Sequence, residues 1–111
     1  MILYGIPTCD TCRAARAALA AAGHVVTFRD IRAEPLSPAE RAEFLAAFGD
    51  ALINRASATW RGLDSRARAA AGGDAAELLA AHPALMKRPV IRAGNQLHLG
   101  WTAEIRTALL K

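Results

Sequence analysis

Ile2-Leu3-Tyr4-Gly5-Ile6-Pro7-Thr8-Cys9-Asp10-Thr11-Cys12-Arg13 is the stretch on which the fold turns. Ile2-Leu3-Tyr4 is a short apolar run closed by Gly5, the pattern of a buried strand. Pro7-Thr8 supplies a turn. A helix is expected from Cys9 or Asp10 through Arg13, Arg16 and Leu19, with Gly23 as the glycine just past its end. Asp10 falls in the first turn, where a negative charge suits the helix dipole. His24 to Asp30 then brings together Val25, Val26, Thr27 and Phe28, and reads as a second strand. Strand, helix and strand within thirty residues make a βαβ unit, so the two strands should run parallel.

Further along, Ser37-Pro38-Ala39-Glu40 has the form of a capping box with proline at the first helical position. The helix it opens carries Phe44, Leu45 and Phe48 and stops at Gly49. Leu52-Ile53 precedes a polar stretch, Asn54 to Arg61, that contains Trp60. Ser65 to Ala71 reads as helical up to Gly72-Gly73. Asp74-Ala75-Ala76-Glu77 resembles a second capping box, opening a helix through Leu78 and Leu79 that is cut by Pro83 after His82. The period then changes. Pro89 to Ile91 and Gln96 to Leu99 flank the Gly94-Asn95 turn signal, as in an antiparallel hairpin. Thr102 is placed to cap a last helix through Ile105, Leu109 and Leu110. The expected architecture is one α/β domain over 1–111, a four-stranded mixed sheet with a helical insertion at about 36–83.

With 111 residues, 53% hydrophobic and 22% charged, the chain has material for a core and is not a disordered segment. No apolar run reaches the length of a membrane span, and Met1-Ile2-Leu3-Tyr4-Gly5 lacks the basic start of a signal peptide. The reading is cytoplasmic, with no membrane partner. Fourteen basic against ten acidic residues give +4. The basic residues are scattered, so direct nucleic-acid binding is not expected.

The chain's two cysteines are Cys9 and Cys12. Two thiols supply half of a four-ligand zinc site, and His24, His82 and His98 do not complete a paired spacing, so no metal is expected. Their placement at a strand-to-helix turn is more informative. The unpaired N–H groups of a helix N-terminus favour a thiolate, so Cys9 is a candidate nucleophile. Cys12, three residues on, lies within disulfide reach and is a candidate resolving thiol. Lys87-Arg88-Pro89 leads into the third strand. Arg88 offers a planar cation suited to oxyanions and carboxylates, and Pro89 is a candidate cis proline that exposes backbone to a bound thiol compound. Asn54-Arg55 and Thr59-Trp60-Arg61 form a second polar cluster, with Trp60 read as packing. His98 alternates within a strand and is expected to face solvent.

These residues carry a resemblance. Tyr4-Gly5-Ile6 with Cys9-Asp10-Thr11, Leu52-Ile53-Asn54-Arg55, Thr59-Trp60-Arg61 with Leu63, His82-Pro83 with Lys87-Arg88-Pro89-Val90, and Leu99-Gly100-Trp101 are similar, in order, to the arsenate reductase ArsC and Spx family, most closely its YffB-like branch. The resemblance implies a thioredoxin-like fold with a helical insertion. It implies a catalytic thiol at Cys9 and substrate-binding roles for Arg88, Pro89 and Arg55. It further implies a glutathione-dependent thiol reductase with no bound cofactor, glutathione as co-substrate, and glutathione or glutaredoxin as partner. The substrate class is a small oxyanion or a disulfide.

Two alternatives stay open. Arsenate reductases of the family place a histidine four residues before the cysteine, where this chain has Gly5. They also carry a third oxyanion-binding arginine near the last strand, where this chain reads Leu99-Gly100-Trp101. Two of three cations imply a weaker arsenate site. The Spx branch uses a Cys-x-x-Cys pair as a redox switch and binds the RNA polymerase alpha subunit. This chain has the pair, but it ends at Lys111 without the longer tail of Spx proteins.

Overall fold

β1 covers Ile2–Gly5 and feeds α1, Asp10–Ala21, which returns the chain to β2, Thr27–Asp30. Then come α2, Pro38–Phe48, a 3-10 turn at Gly49–Leu52, α3, Ala58–Arg61, α4, Ser65–Ala70, and α5, Ala75–Ala81. A second 3-10 turn at Pro83–Leu85 leads to β3, Val90–Ala93, β4, Gln96–Leu99, and α6, Ala103–Leu109. This is a computed structural model that describes residues 1–110; Lys111 lies outside the described residues. The described chain divides into two compact units. One comprises Met1–Glu34 with the segment from Arg88 onward, and the other is Pro35–Lys87.

The first unit is built on a single mixed sheet of order β2-β1-β3-β4. β1 and β2 are parallel, as a helical crossover between them requires. β3 runs antiparallel to β1 and β4 antiparallel to β3. The tight turn between β3 and β4 uses Gly94 at φ 59, a left-handed conformation that costs glycine little. Leu3 and Ile91 face each other across β1 and β3. Together with Cys12, Ala15 and Leu19 from α1 and Leu109 from α6, they form the core on that face of the sheet. Tyr4, on the opposite face, is buried between two arginines: the guanidiniums of Arg29 and Arg92 lie 5.9 and 6.0 Å from its ring centre. Arg92 also donates to the Tyr4 hydroxyl at 3.3 Å.

α1 ends as a Schellman turn. The Gly23 N–H reaches Ala20 O, the His24 N–H reaches Leu19 O, and Gly23 takes φ 93. That turn shortens the second strand relative to expectation, from His24–Asp30 to Thr27–Asp30. His24 is instead bound through Nε2 to Leu109 O at 2.7 Å, and Val25 is 87% exposed. The β-branched composition of 24–26 therefore marks an approach to the strand. α6 is capped by Thr102, whose hydroxyl accepts from Ile105 N–H.

In the second unit, Phe44 of α2 is fully buried, with Leu52, Ile53, Leu78, Leu79, Leu85 and Met86. Ser37 and Glu40 form the reciprocal capping box at the start of α2. The second expected box is absent: Asp74 makes no side-chain cap bond. Its backbone is at φ −134, ψ 54, and its N–H is committed to Ala70 O. The chain leaves α4 and enters α5 too abruptly for the extended geometry a capping side chain needs.

Candidate active site

The register of the sheet assembles the site. Tyr4 is paired with Val90 in an antiparallel ladder. The residues just before Val90 therefore lie beside the loop that follows Gly5, and that loop is where α1 begins. Cys9 is the N-cap residue of α1, with extended backbone at φ −82, ψ 119, and its N–H bonds to Ile6 O. Cys9 is half-buried and Cys12 fully buried, and both are free thiols. The Arg88–Pro89 peptide bond is cis, as expected from the sequence. The Pro89 carbonyl is held by the Gly100 N–H at 2.8 Å, an anchor that sequence reading did not identify.

The two sulfurs differ in acidity. Burial raises the Cys9 thiol. Against it act the Cys12 backbone N–H, the Cys12 S–H, and the Arg88 guanidinium as both donor and positive charge. The net direction is downward, so Cys9 is the more readily ionised thiol. No side-chain capping bond closes at Cys9 in the ordinary sense. The Cys12 N–H, at the third position of the helix, favours the thiolate all the same. Cys12 moves the other way. Burial pushes its thiol up to about 12, although the Ile6 N–H pulls it down. The neighbouring Cys9 sulfur raises it further, by hydrogen bond and by charge. The result is a half-buried nucleophile resting on a buried thiol that keeps its proton.

Gly5 belongs to this site as well. A Cβ there would stand 2.5 Å from Cys12 Sγ and 3.3 Å from Cys12 Cβ. The sequence signal was a glycine closing the first strand, which marks a close approach without saying of what.

Arg55 lies in the second unit. Its two terminal nitrogens reach both carboxylate oxygens of Asp50, at 3.0 and 2.7 Å, and its guanidinium stacks 5.1 Å from the centre of Trp60. Trp60, expected to pack in the core, is instead half-buried and stacked against Arg55, because the short helix that carries it buries none of its residues. His98 departs from expectation. It stands opposite Ile91 in the ladder, so it shares the core-facing side of the sheet, and its Nε2 is buried without a hydrogen-bond partner. Strand alternation gave the right period, but the core-facing side continues out to the edge strand β4. Among the described residues, no group of three His, Cys, Asp or Glu side chains could hold a metal ion. No helix among them is long and apolar enough to cross a membrane.

A four-stranded mixed sheet with two free thiols at the N-terminus of the first helix defines a thioredoxin-like fold of the thiol-reductase-like class. The chain belongs to the ArsC family, whose model matches residues 4–108. It is similar to the solved structure of a YffB protein, at 31% identity and a TM-score of 0.87, covering 99% of this chain and 98% of that one. It is also similar to an arsenate reductase (ArsC) related protein from Brucella melitensis, at 34% identity and a TM-score of 0.75, with 99% and 93% covered. The global transcriptional regulator Spx of Bacillus subtilis is 34% identical over 113 residues, 96% of this chain and 85% of that protein.

Proposed function

We propose that this chain is a cytoplasmic, glutathione-dependent thiol–disulfide reductase, a single ArsC-type domain that uses Cys9 as nucleophile. The observation that carries the proposal is the pairing of an acidified, half-buried Cys9 with the Arg88 cation. The Cys9 thiolate attacks one sulfur of a disulfide, a Cys9 mixed disulfide forms, and the other sulfur leaves as a thiolate. Arg88 stabilises negative charge at the reacting sulfurs and holds the carboxylate of a glutathionyl group. Pro89 is buried, has no N–H and has its carbonyl held by Gly100, so it serves by fixing the backbone of Arg88. Arg55, within its own unit, is a separate anion-binding side chain that exchanges the Asp50 carboxylate for an incoming anion. The mixed disulfide is then resolved by glutathione, by glutaredoxin, or by Cys12.

The experiment is intact-mass analysis after exposure to oxidised glutathione. Wild type, Cys9→Ser and Cys12→Ser are compared. Cys9→Ser should remain unmodified. A Cys9→Ser chain that is glutathionylated as fast as wild type would end the proposal.

A second reading rests on the similarity to Spx and on the shared Cys-x-x-Cys spacing. In it, the chain is a redox-switched regulator that binds the RNA polymerase alpha subunit. Capture of the alpha C-terminal domain by the oxidised chain, with none by the reduced chain, would favour it. Arsenate-dependent turnover with glutaredoxin would favour arsenate reduction instead.

A further inference from the structure

Cys12 Sγ occupies the space in which a side chain at position 5 would begin. Carbon and sulfur in contact sit roughly 3.5–4 Å apart. A Cβ on Gly5 would come within 2.5 Å of that sulfur. The obstacle is not the loose end of a flexible chain: Cys12 is fully buried, on the first turn of α1, in a core with Leu3, Ala15 and Ile91. Nor is Gly5 retained for its own backbone, since it is not among the residues with positive φ. Its ladder partner also asks nothing special of it, because β1 pairs with β2 in register through Gly5 and Asp30. The remaining reason for glycine here is the sulfur.

We propose that Gly5 is a positioning residue for the thiol pair: by having no side chain it seats Cys12 Sγ against Cys9, and so determines whether Cys9 works with a partner thiol or alone. This deepens the thiol-reductase reading and rests on it. With Gly5 in place, a Cys9–glutathione mixed disulfide has a second sulfur beneath it. In the mixed disulfide Cys9 carries no charge and no longer raises the Cys12 thiol; Cys12 gives up its proton and its sulfur attacks Cys9 Sγ. The Cys9–glutathione bond breaks, and glutathione leaves as a thiolate that takes up a proton. Counting the first exchange, one oxidised glutathione becomes two glutathione molecules, and the chain loses two electrons as the Cys9–Cys12 disulfide forms. A methyl group at position 5 turns Cys12 Sγ away. Cys9 still reacts, but the mixed disulfide persists.

The test combines Gly5→Ala, Cys12→Ala and the double variant with wild type. Each is treated with oxidised glutathione, followed by intact mass, and the pH dependence of Cys9 alkylation is recorded. Wild type should proceed to the internal disulfide. Gly5→Ala should stop at the glutathione adduct, with the midpoint of its alkylation profile shifted upward, because the Cys12 donors to Cys9 are displaced. In the Cys12→Ala background, adding Gly5→Ala should leave that profile unmoved. The 3.3 Å approach to the remaining Cβ asks for a shift of only a few tenths of an ångström. A Gly5→Ala chain that closes the disulfide at the wild-type rate overturns the proposal. So does an equal profile shift in both backgrounds. If Gly5→Ala fails to fold, a folded double variant supports the steric coupling, and an unfolded double variant overturns it. Failure of the thiol-reductase reading looks different: wild-type Cys9 itself would not take up glutathione.

Discussion

Burial acts on Cys9 and Cys12 in the same direction, yet their acidities diverge, because Cys9 receives donors that Cys12 supplies. Two predictions belong at this scale. Alkylation of Cys9 against pH should show a midpoint below the ordinary thiol value of about 8.5. Arg88→Ala should raise that midpoint and slow alkylation at neutral pH several-fold, whereas Arg88→Lys should restore part of the charge effect without the planar fork. The second prediction concerns stability at high pH. Cys12 has its proton affinity raised in the folded state, to about 12. An unfolded chain gives up that proton near the ordinary thiol value. Stability due to Cys12 is therefore complete below that value and falls as pH rises from there toward 12. The slope from this one group is at most about 1.4 kcal/mol per pH unit. Cys9 has the opposite sign: its contribution is complete above the ordinary value and is lost as pH falls through its lowered one. Urea midpoints across alkaline pH should fall more steeply for wild type than for Cys12→Ala; equal slopes would show that burial does not hold the Cys12 proton.

At the scale of elements, the site depends on how α1 starts and stops. Its N-terminus carries Cys9, and its C-terminal turn needs Gly23 at φ 93. Gly23→Ala should lower stability by about 1 kcal/mol, since a Cβ disfavours that conformation although nothing crowds it. Ser37→Ala should lose a similar amount, about 1 kcal/mol, because both halves of the α2 capping box are made. Chemical denaturation of each variant reads these effects, and Asp74→Ala is the control expected to change little, as no cap bond is lost. The contrast between Ser37 and Asp74 shows what local patterns convey. Both stretches have the right residues at the right spacing, but only the one entered from extended chain can aim its side chain back at the helix. The strand at β2 carries the same lesson, since its first three expected residues are diverted by the turn that ends α1.

For the molecule as a whole, the core on the α1 side of the sheet joins elements from both ends of the sequence: Leu3, Cys12, Ala15 and Leu19 meet Ile91 and Leu109. Leu19→Ala should remove about 2–5 kcal/mol, a large part of the roughly 5–15 kcal/mol that holds a domain folded. It should also loosen the first turn of α1 and so reduce the difference between Cys9 and bulk thiols. A thermal melt together with the Cys9 alkylation rate tests both statements. The element order, the parallel βαβ pair, the β3–β4 hairpin and the placement of Cys9 at the start of α1 were legible along the chain, because each depends on neighbouring elements and short connections. Periodicity, turn chemistry and helix caps are local, and so is the placement of a thiol at a strand-to-helix turn. What only the tertiary structure decided is which groups are desolvated and by whom. It buried His98 Nε2 on the core-facing side of the edge strand and set Gly5 against Cys12 Sγ. It also raised the proton affinity of Cys12 and lowered that of Cys9. Burial and close approach are sums over atoms from distant parts of the chain, and no local spacing contains them.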